Sequence, residues 1–197
     1  VSDFPAGPFD LILADPPWRF ILWNPDKGNP TFRHPEKHYP TMDRDAIKAL
    51  PVASIAAKDA ALLMWATMPL LPDALDTMRA WGFTFKTVAF TWVKLNEDGT
   101  PFKGLGYYTR ANAEICLLGT RGKGLQRVNK DVPSAILSRR REHSRKPDGQ
   151  YDHIERLFGK DIRRIELFAR QAWPGWERWG LDAPEYERPG LPLDEAA

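Results

Sequence analysis

Short apolar runs alternate with helix-like patterns along this 197-residue chain, and that alternation restricts its fold more than any other feature. Phe9 to Ala14 (FDLILA), Ala61 to Ala66 (ALLMWA) and Thr87 to Val93 (TVAFTWV) are apolar or β-branched and read as strands. So do Glu114 to Leu118 (EICLL, ended by Gly119) and Arg164 to Phe168 (RIELF). Helical signals lie between them. Thr41 is placed to N-cap a helix carrying Ile47 and Leu50. Pro72 to Trp81, with Leu71, sets Leu71, Leu75 and Met78 at i, i+4 and i+7, and Gly82 follows as a stop. Pro147 suits the first position of a helix to Phe158, with Tyr151, Ile154 and Leu157 on one side and Gly159 as C-cap. This order predicts an α/β domain with a mostly parallel sheet, while leaving mixed pairing open.

Composition removes several classes. Cys116 is the sole cysteine, which excludes a disulfide framework and any thiolate-built zinc or iron–sulfur centre. His34, His38, His143 and His153 form no metal pattern, so no metal is expected. The longest weakly polar run, Ala60 to Leu71, is too short to span a bilayer, and no basic-then-apolar signal segment opens the chain, which starts at Val1. A cytoplasmic location without a membrane partner is expected. The net charge is only +2, but residues 121–164 hold 13 Lys and Arg against 6 Asp and Glu, whereas residues 182–197 hold 1 against 5. The first stretch is a candidate phosphate-facing surface.

Two long stretches, residues 19–40 and 94–113, fit no regular element and mix aromatic with basic residues. That combination suits stacking on bases and tracking phosphates. Between the first strand and the first of these stretches stands Asp15-Pro16-Pro17-Trp18. In an open α/β sheet, ligands bind at the carboxyl ends of the strands, where this motif falls. It offers a planar amino group two acceptors. Asp15 can take one N–H and the Pro16 carbonyl the other, and Pro17 has no N–H to compete. Acceptors aimed at the charge that develops on nitrogen would favour attack on a methyl sulfonium. Trp18 offers a face or edge to fix a base.

LILADPPW resembles the motif of the MT-A70 family of adenine-N6 methyltransferases. The likeness continues through Tyr39 to Pro51 (YPTMDRDAIKALP), Leu63 to Lys94, Glu114 to Gly119, His143 to Leu157 and Arg164 to Arg170, in family order over roughly residues 9–182. It implies a Rossmann-like fold dependent on S-adenosylmethionine, with the catalytic motif first and the cofactor site completed near the end. Residues 1–182 are read as the methyltransferase domain, and composition makes 183–197 an acidic Pro-rich tail. Asp15, Pro16, Pro17 and Trp18 would be catalytic. Lys146 matches the lysine that meets the cofactor carboxylate, and a cation just before a helix start is well placed for an anion. Phe168 and Arg170 match residues at the cofactor, and Asp15 would lie near its amino group. The chain departs from the family at Gln171-Ala172-Trp173 and at Leu181-Asp182; Asp182 could still hold a ribose hydroxyl.

Tyr39 matches an active-site loop tyrosine. Tyr107 and Tyr108 could stack on a flipped adenine or pack in the core, and Arg110, Arg139, Arg140, Arg141 and Arg145 are candidate phosphate contacts. The expected reaction is methyl transfer to adenine N6 in nucleic acid, with DNA favoured over RNA. The alternatives are an RNA enzyme, a catalytically silent nucleic-acid-binding subunit, or another planar amine as acceptor. Self-association, as a homodimer or with a related subunit, is also expected, without a defined symmetry.

Overall fold

The computed structural model describes residues 4–18, 41–104, 106, 108–140 and 145–180. In chain order its elements are β1 Phe9–Ala14, α1 Arg44–Lys48, α2 Val52–Ile55, β2 Ala56–Ala66, α3 Leu71–Ala80, β3 Thr84–Leu95, β4 Ala113–Arg121, β5 Ala135–Arg139, α4 Gly149–Phe158, β6 Arg164–Leu167 and β7 Glu177–Trp179. The seven strands form one sheet in the order β5-β3-β4-β2-β1-β6-β7. β1 runs parallel to β2 and β6, β6 to β7, and β3 to β5. β4 alone is antiparallel to both of its neighbours, β2 and β3. It follows β3 without an intervening helix, and a strand that returns directly must run back against its predecessor.

Alternation across the central strands builds a core on both faces. In β2, Leu62, Met64 and Ala66 face one layer, with Ile47, Val52, Ile55, Ala74 and Met78 from α1, α2 and α3. Ala61, Leu63 and Trp65 face the other, with Tyr151, Ile154 and Phe158 from α4. A strand buried on both sides must be apolar throughout, which is why ALLMWA has no polar alternation. Connections from β1 to β2 and β2 to β3 cross the first face, and that from β5 to β6 crosses the second. Near β1 and β6 the chain therefore leaves the sheet toward opposite faces and opens a crevice at their carboxyl ends.

Several boundaries differ from expectation for local reasons. Asp43, not Thr41, caps α1, accepting from the Asp45 N–H at 2.9 Å. Gly119 does not end β4 but lies inside it. A Cβ there would sit 2.6 Å from Met78 Sδ, so its bare backbone is what lets α3 pack on the sheet. On α3 the fully buried positions are Ala74, Thr77 and Met78, with Leu71 and Leu75 flanking them. The helical hydrogen-bonding pattern of α4 starts at Gly149 because Pro147 and Asp148 form tight turns, with Gln150 N–H to Pro147 O at 3.1 Å and Tyr151 N–H to Asp148 O at 3.0 Å. Gly159 ends it at φ +85°. β5 and β7 were not expected: each is a short edge strand, and in β5 only Ile136 is buried.

Candidate active site

β1 stops at Asp15 because two prolines follow, and neither can donate to a ladder. The turn is held by its own backbone. Trp18 N–H donates to Pro16 O at 2.8 Å, and Met42 N–H to Pro17 O at 3.0 Å. Trp18, expected as a surface for a base, is only 6% exposed; it packs in the α1–α3 layer and donates its indole N–H to Trp65 O at 3.4 Å. It anchors the motif rather than opening a ring face to the crevice. One lone pair of the Pro16 carbonyl is used by Trp18, leaving the second for another donor.

Asp15 meets Lys146. The Lys146 ammonium lies 2.8 Å from Asp15 Oδ1 and 2.7 Å from Oδ2, although 131 residues separate them. It also reaches Glu114 Oε2 at 3.2 Å and sits 5.5 Å from the Trp65 ring centroid. Glu114 in turn bonds Lys94. The result is a row of alternating charge, Lys94, Glu114, Lys146 and Asp15, across the carboxyl-terminal end of the parallel strands. Burial pushes the Asp15 carboxyl up from its usual range by more than Lys146 pulls it down, and Glu114 adds to the rise. Burial acts upward on Glu114 too, but the two lysines outweigh it and hold it at about 2. Burial alone would lower Lys146; Asp15 and Glu114 together keep it raised and cationic.

Beside this row a narrow cleft is lined by Asp15, Arg145, Lys146, Gln150, Tyr151, Glu166, Phe168, Arg170 and Gln171. Burial raises the Glu166 carboxyl to about 7, against the Tyr151 hydroxyl that donates to it at 2.7 Å. Phe168 follows β6 at φ +63°, a conformation that costs a non-glycine residue on the order of 1–3 kcal/mol. Its ring packs edge-on against Trp179.

Four of the expected cofactor residues, Asp15, Lys146, Phe168 and Arg170, thus share one cleft. Asp182, Leu181, Tyr39, Tyr107, Arg141, His34, His38 and His143 lie outside the described residues. Tyr108 and Arg110 are exposed on the β3–β4 connection and line neither the core nor the cleft. Arg140 follows β5 with its guanidinium 3.8 Å from the centroid of Phe102, and its N–H donates to Leu95 O at 3.2 Å. Arg140 therefore ties the β3–β4 connection to the sheet's rim. Sequence reasoning missed Lys94, Glu114, Gln150, Glu166 and Gln171. Lys94 and Glu114 carried a usable signal, being charges at adjoining ends of two apolar strands. Among the described residues no cluster of His, Cys, Asp or Glu could hold a metal, and no helix is long and apolar enough to cross a membrane.

A paired buried cation and carboxylate suit a zwitterionic amino-acid group, whose carboxylate would meet Lys146 and whose ammonium would meet Asp15. The donor set thus fits the methionine end of S-adenosylmethionine.

Comparison with known proteins agrees. The MT-A70 family profile matches residues 9–182. The chain is 33% identical over 194 residues to the type II methyltransferase M.MunI of Mycoplasma sp, covering 92% of this chain and 80% of that one. It is 31% identical over 175 residues to the probable N(6)-adenosine-methyltransferase MT-A70-like protein of Oryza sativa subsp. japonica, covering 86% of this chain but 22% of the rice protein. It is 27% identical over 194 residues to the N6-methyladenosine RNA methyltransferase MTA1 of Cryphonectria parasitica, covering 93% and 54%. With a DPPW turn at the end of its first strand, a lysine paired to that aspartate and a family match spanning the whole described sheet, the chain belongs to the MT-A70 family of S-adenosylmethionine-dependent adenine-N6 methyltransferases.

Proposed function

We propose that this chain methylates the N6 amino group of adenine in DNA, from the cleft beside Asp15, on a Rossmann-like sheet whose catalytic motif precedes its cofactor residues. The observation that carries the site is the Asp15–Lys146 pair at the mouth of β1. S-adenosylmethionine, when bound, supplies an electrophilic methyl group on a sulfonium. Lys146 would hold its carboxylate and Asp15 its ammonium, with Arg170 and Phe168 at the same cleft and Asp182 at the ribose. Asp15 and the free lone pair of the Pro16 carbonyl would accept the two N–H groups of adenine. Acceptors set to one side of the base plane would draw the N–H groups out of it and localise the nitrogen lone pair on the other side, toward the donor. The amino nitrogen would gain the methyl as the methyl–sulfur bond breaks, with S-adenosylhomocysteine as the neutral thioether leaving group, and would give up one proton to solvent.

DNA is favoured because the type II methyltransferase, matched along 80% of its own length, is named for neither adenosine nor RNA, whereas the relatives so named are matched over less of theirs. The chain spans only about a fifth of the rice protein and half of the fungal one. RNA is the second reading, favoured by the name of the fungal relative. Arg140, Arg110 and Tyr108, with Tyr39 and Tyr107, would contact the nucleic acid around an extruded base. A cytoplasmic location and self-association go with this reading. Nucleoside mass spectrometry of duplex DNA, single-stranded DNA and RNA, each incubated with the chain and S-adenosylmethionine, tests it. N6-methyladenine in DNA supports the proposal; N6-methyladenine in RNA alone replaces it with the second reading.

A further inference from the structure

Lys146 is not held by a helix or strand. It sits in the irregular stretch 145–148 that leads into α4. One side chain from across the cleft fastens that stretch on both sides of it. Gln171 Oε1 accepts from Arg145 Nε at 2.6 Å, one residue before Lys146. Gln171 Nε2 donates to Asp148 Oδ1 at 3.2 Å, two residues after it, and to the Tyr151 hydroxyl at 3.0 Å. The Tyr151 hydroxyl in turn donates a hydrogen bond to Glu166, and its ring stacks on Trp173 at 4.4 Å and 12°. Asp148 stands at the N-cap of α4 yet makes no side-chain capping bond there, and its carboxylate turns to Gln171 instead.

We propose that Gln171 is a positioning residue for the cofactor's amino-acid end, acting by bracketing Lys146 so that its ammonium stays on Asp15. The inference rests on the reading that this cleft binds S-adenosylmethionine. Only a neutral amide carries both an acceptor for Arg145 and two donors for Asp148 and Tyr151. An aliphatic side chain loses both functions. A glutamate keeps the acceptor, loses the donors and sets a second carboxylate against Asp148. Without the bracket, residues 145–148 must be ordered at the moment of binding, and that ordering reduces affinity.

The test is isothermal titration of the full chain with S-adenosylmethionine, S-adenosylhomocysteine and 5′-methylthioadenosine, at pH 5 and pH 8, for wild type, Gln171→Met and Gln171→Glu. Melting of the free proteins is recorded in parallel. Gln171→Met is expected to weaken S-adenosylmethionine roughly tenfold at both pH values while the free protein still melts cooperatively. Gln171→Glu is expected to be weakened at both pH values, since the Arg145 guanidinium beside it keeps that carboxylate ionised. 5′-Methylthioadenosine, which lacks the amino-acid end, is expected to bind Gln171→Met as it binds the wild type, which a merely structural role would not produce. An unchanged Kd for S-adenosylmethionine in Gln171→Met overturns the inference alone, as does an equal loss of 5′-methylthioadenosine. No binding by the wild type overturns the cofactor reading and the inference together.

Discussion

Replacing Lys146 by Met should destabilise the free protein strongly at pH 8 and weakly at pH 4. The ammonium lies within 2.8 Å of both Asp15 oxygens, and the two side chains are only 11% and 19% exposed. Removing it leaves a buried carboxylate without its counter-charge, a change that costs about 3–5 kcal/mol. Glu114 keeps Lys94, so the penalty falls on Asp15. Arg170 draws on it more weakly than Lys146 does, so its main relief is protonation. Asp15 already titrates above its unfolded value, and losing the cation moves it further up. The folded state then holds a proton that the unfolded state has released, so stability falls as pH rises from the unfolded value through the folded one. Below the unfolded value the loss largely disappears. For a chain of this size about 3–5 kcal/mol corresponds to roughly 6–20 °C in Tm. Adding Asp15→Asn to Lys146→Met removes the stranded charge and should restore most of the difference. The assay is thermal and urea unfolding of wild type, both single variants and the double variant from pH 4 to 8. A Lys146→Met protein as stable as wild type at pH 8 would refute the reasoning, as would a double variant no more stable than Lys146→Met.

Glu166 titrates at about 7 in the fold, so wild-type stability should fall as pH rises from the unfolded carboxylate range through 7. Glu166→Gln should flatten that fall by roughly 3 kcal/mol, and an equal effect at pH 4 and pH 8 in urea melts would contradict it. Gly119→Ala places a Cβ against Met78 and should cost about 1–3 kcal/mol of stability without altering cofactor affinity in titration calorimetry. Arg140→Ala should weaken nucleic-acid binding and reduce the slope of log K against log salt by about 1; an unchanged slope would remove Arg140 from the phosphate contacts.

The central strands were legible because each is buried on both faces and abruptly stopped. FDLILA ends where Asp-Pro-Pro begins, and observed β1 has the expected bounds. The cofactor cluster was legible only through the family resemblance. Nothing local to Lys146 says that it meets Asp15, because that contact depends on α4 returning the chain to the far side of β1. β5 and β7 were hidden by length: AILSR and ERW carry too few apolar positions to show a period. Gly119 misled because glycine punctuates strands more often than it admits a helix, and only the position of Met78 distinguishes the two. Gln171 could not be found from its neighbours, since the three groups it joins, Arg145, Asp148 and Tyr151, lie 20 to 26 residues away in sequence.

The most direct test of the central claim is the rate at which N6-methyladenine forms in DNA with wild type and with Asp15→Asn, read by nucleoside mass spectrometry. Unfolding curves would show that both proteins are folded. The account predicts product with the wild type and a loss of at least about a hundredfold with Asp15→Asn, the scale of removing one aligned transition-state acceptor. A folded Asp15→Asn protein that methylates adenine at the wild-type rate would place the chemistry elsewhere than at the end of β1.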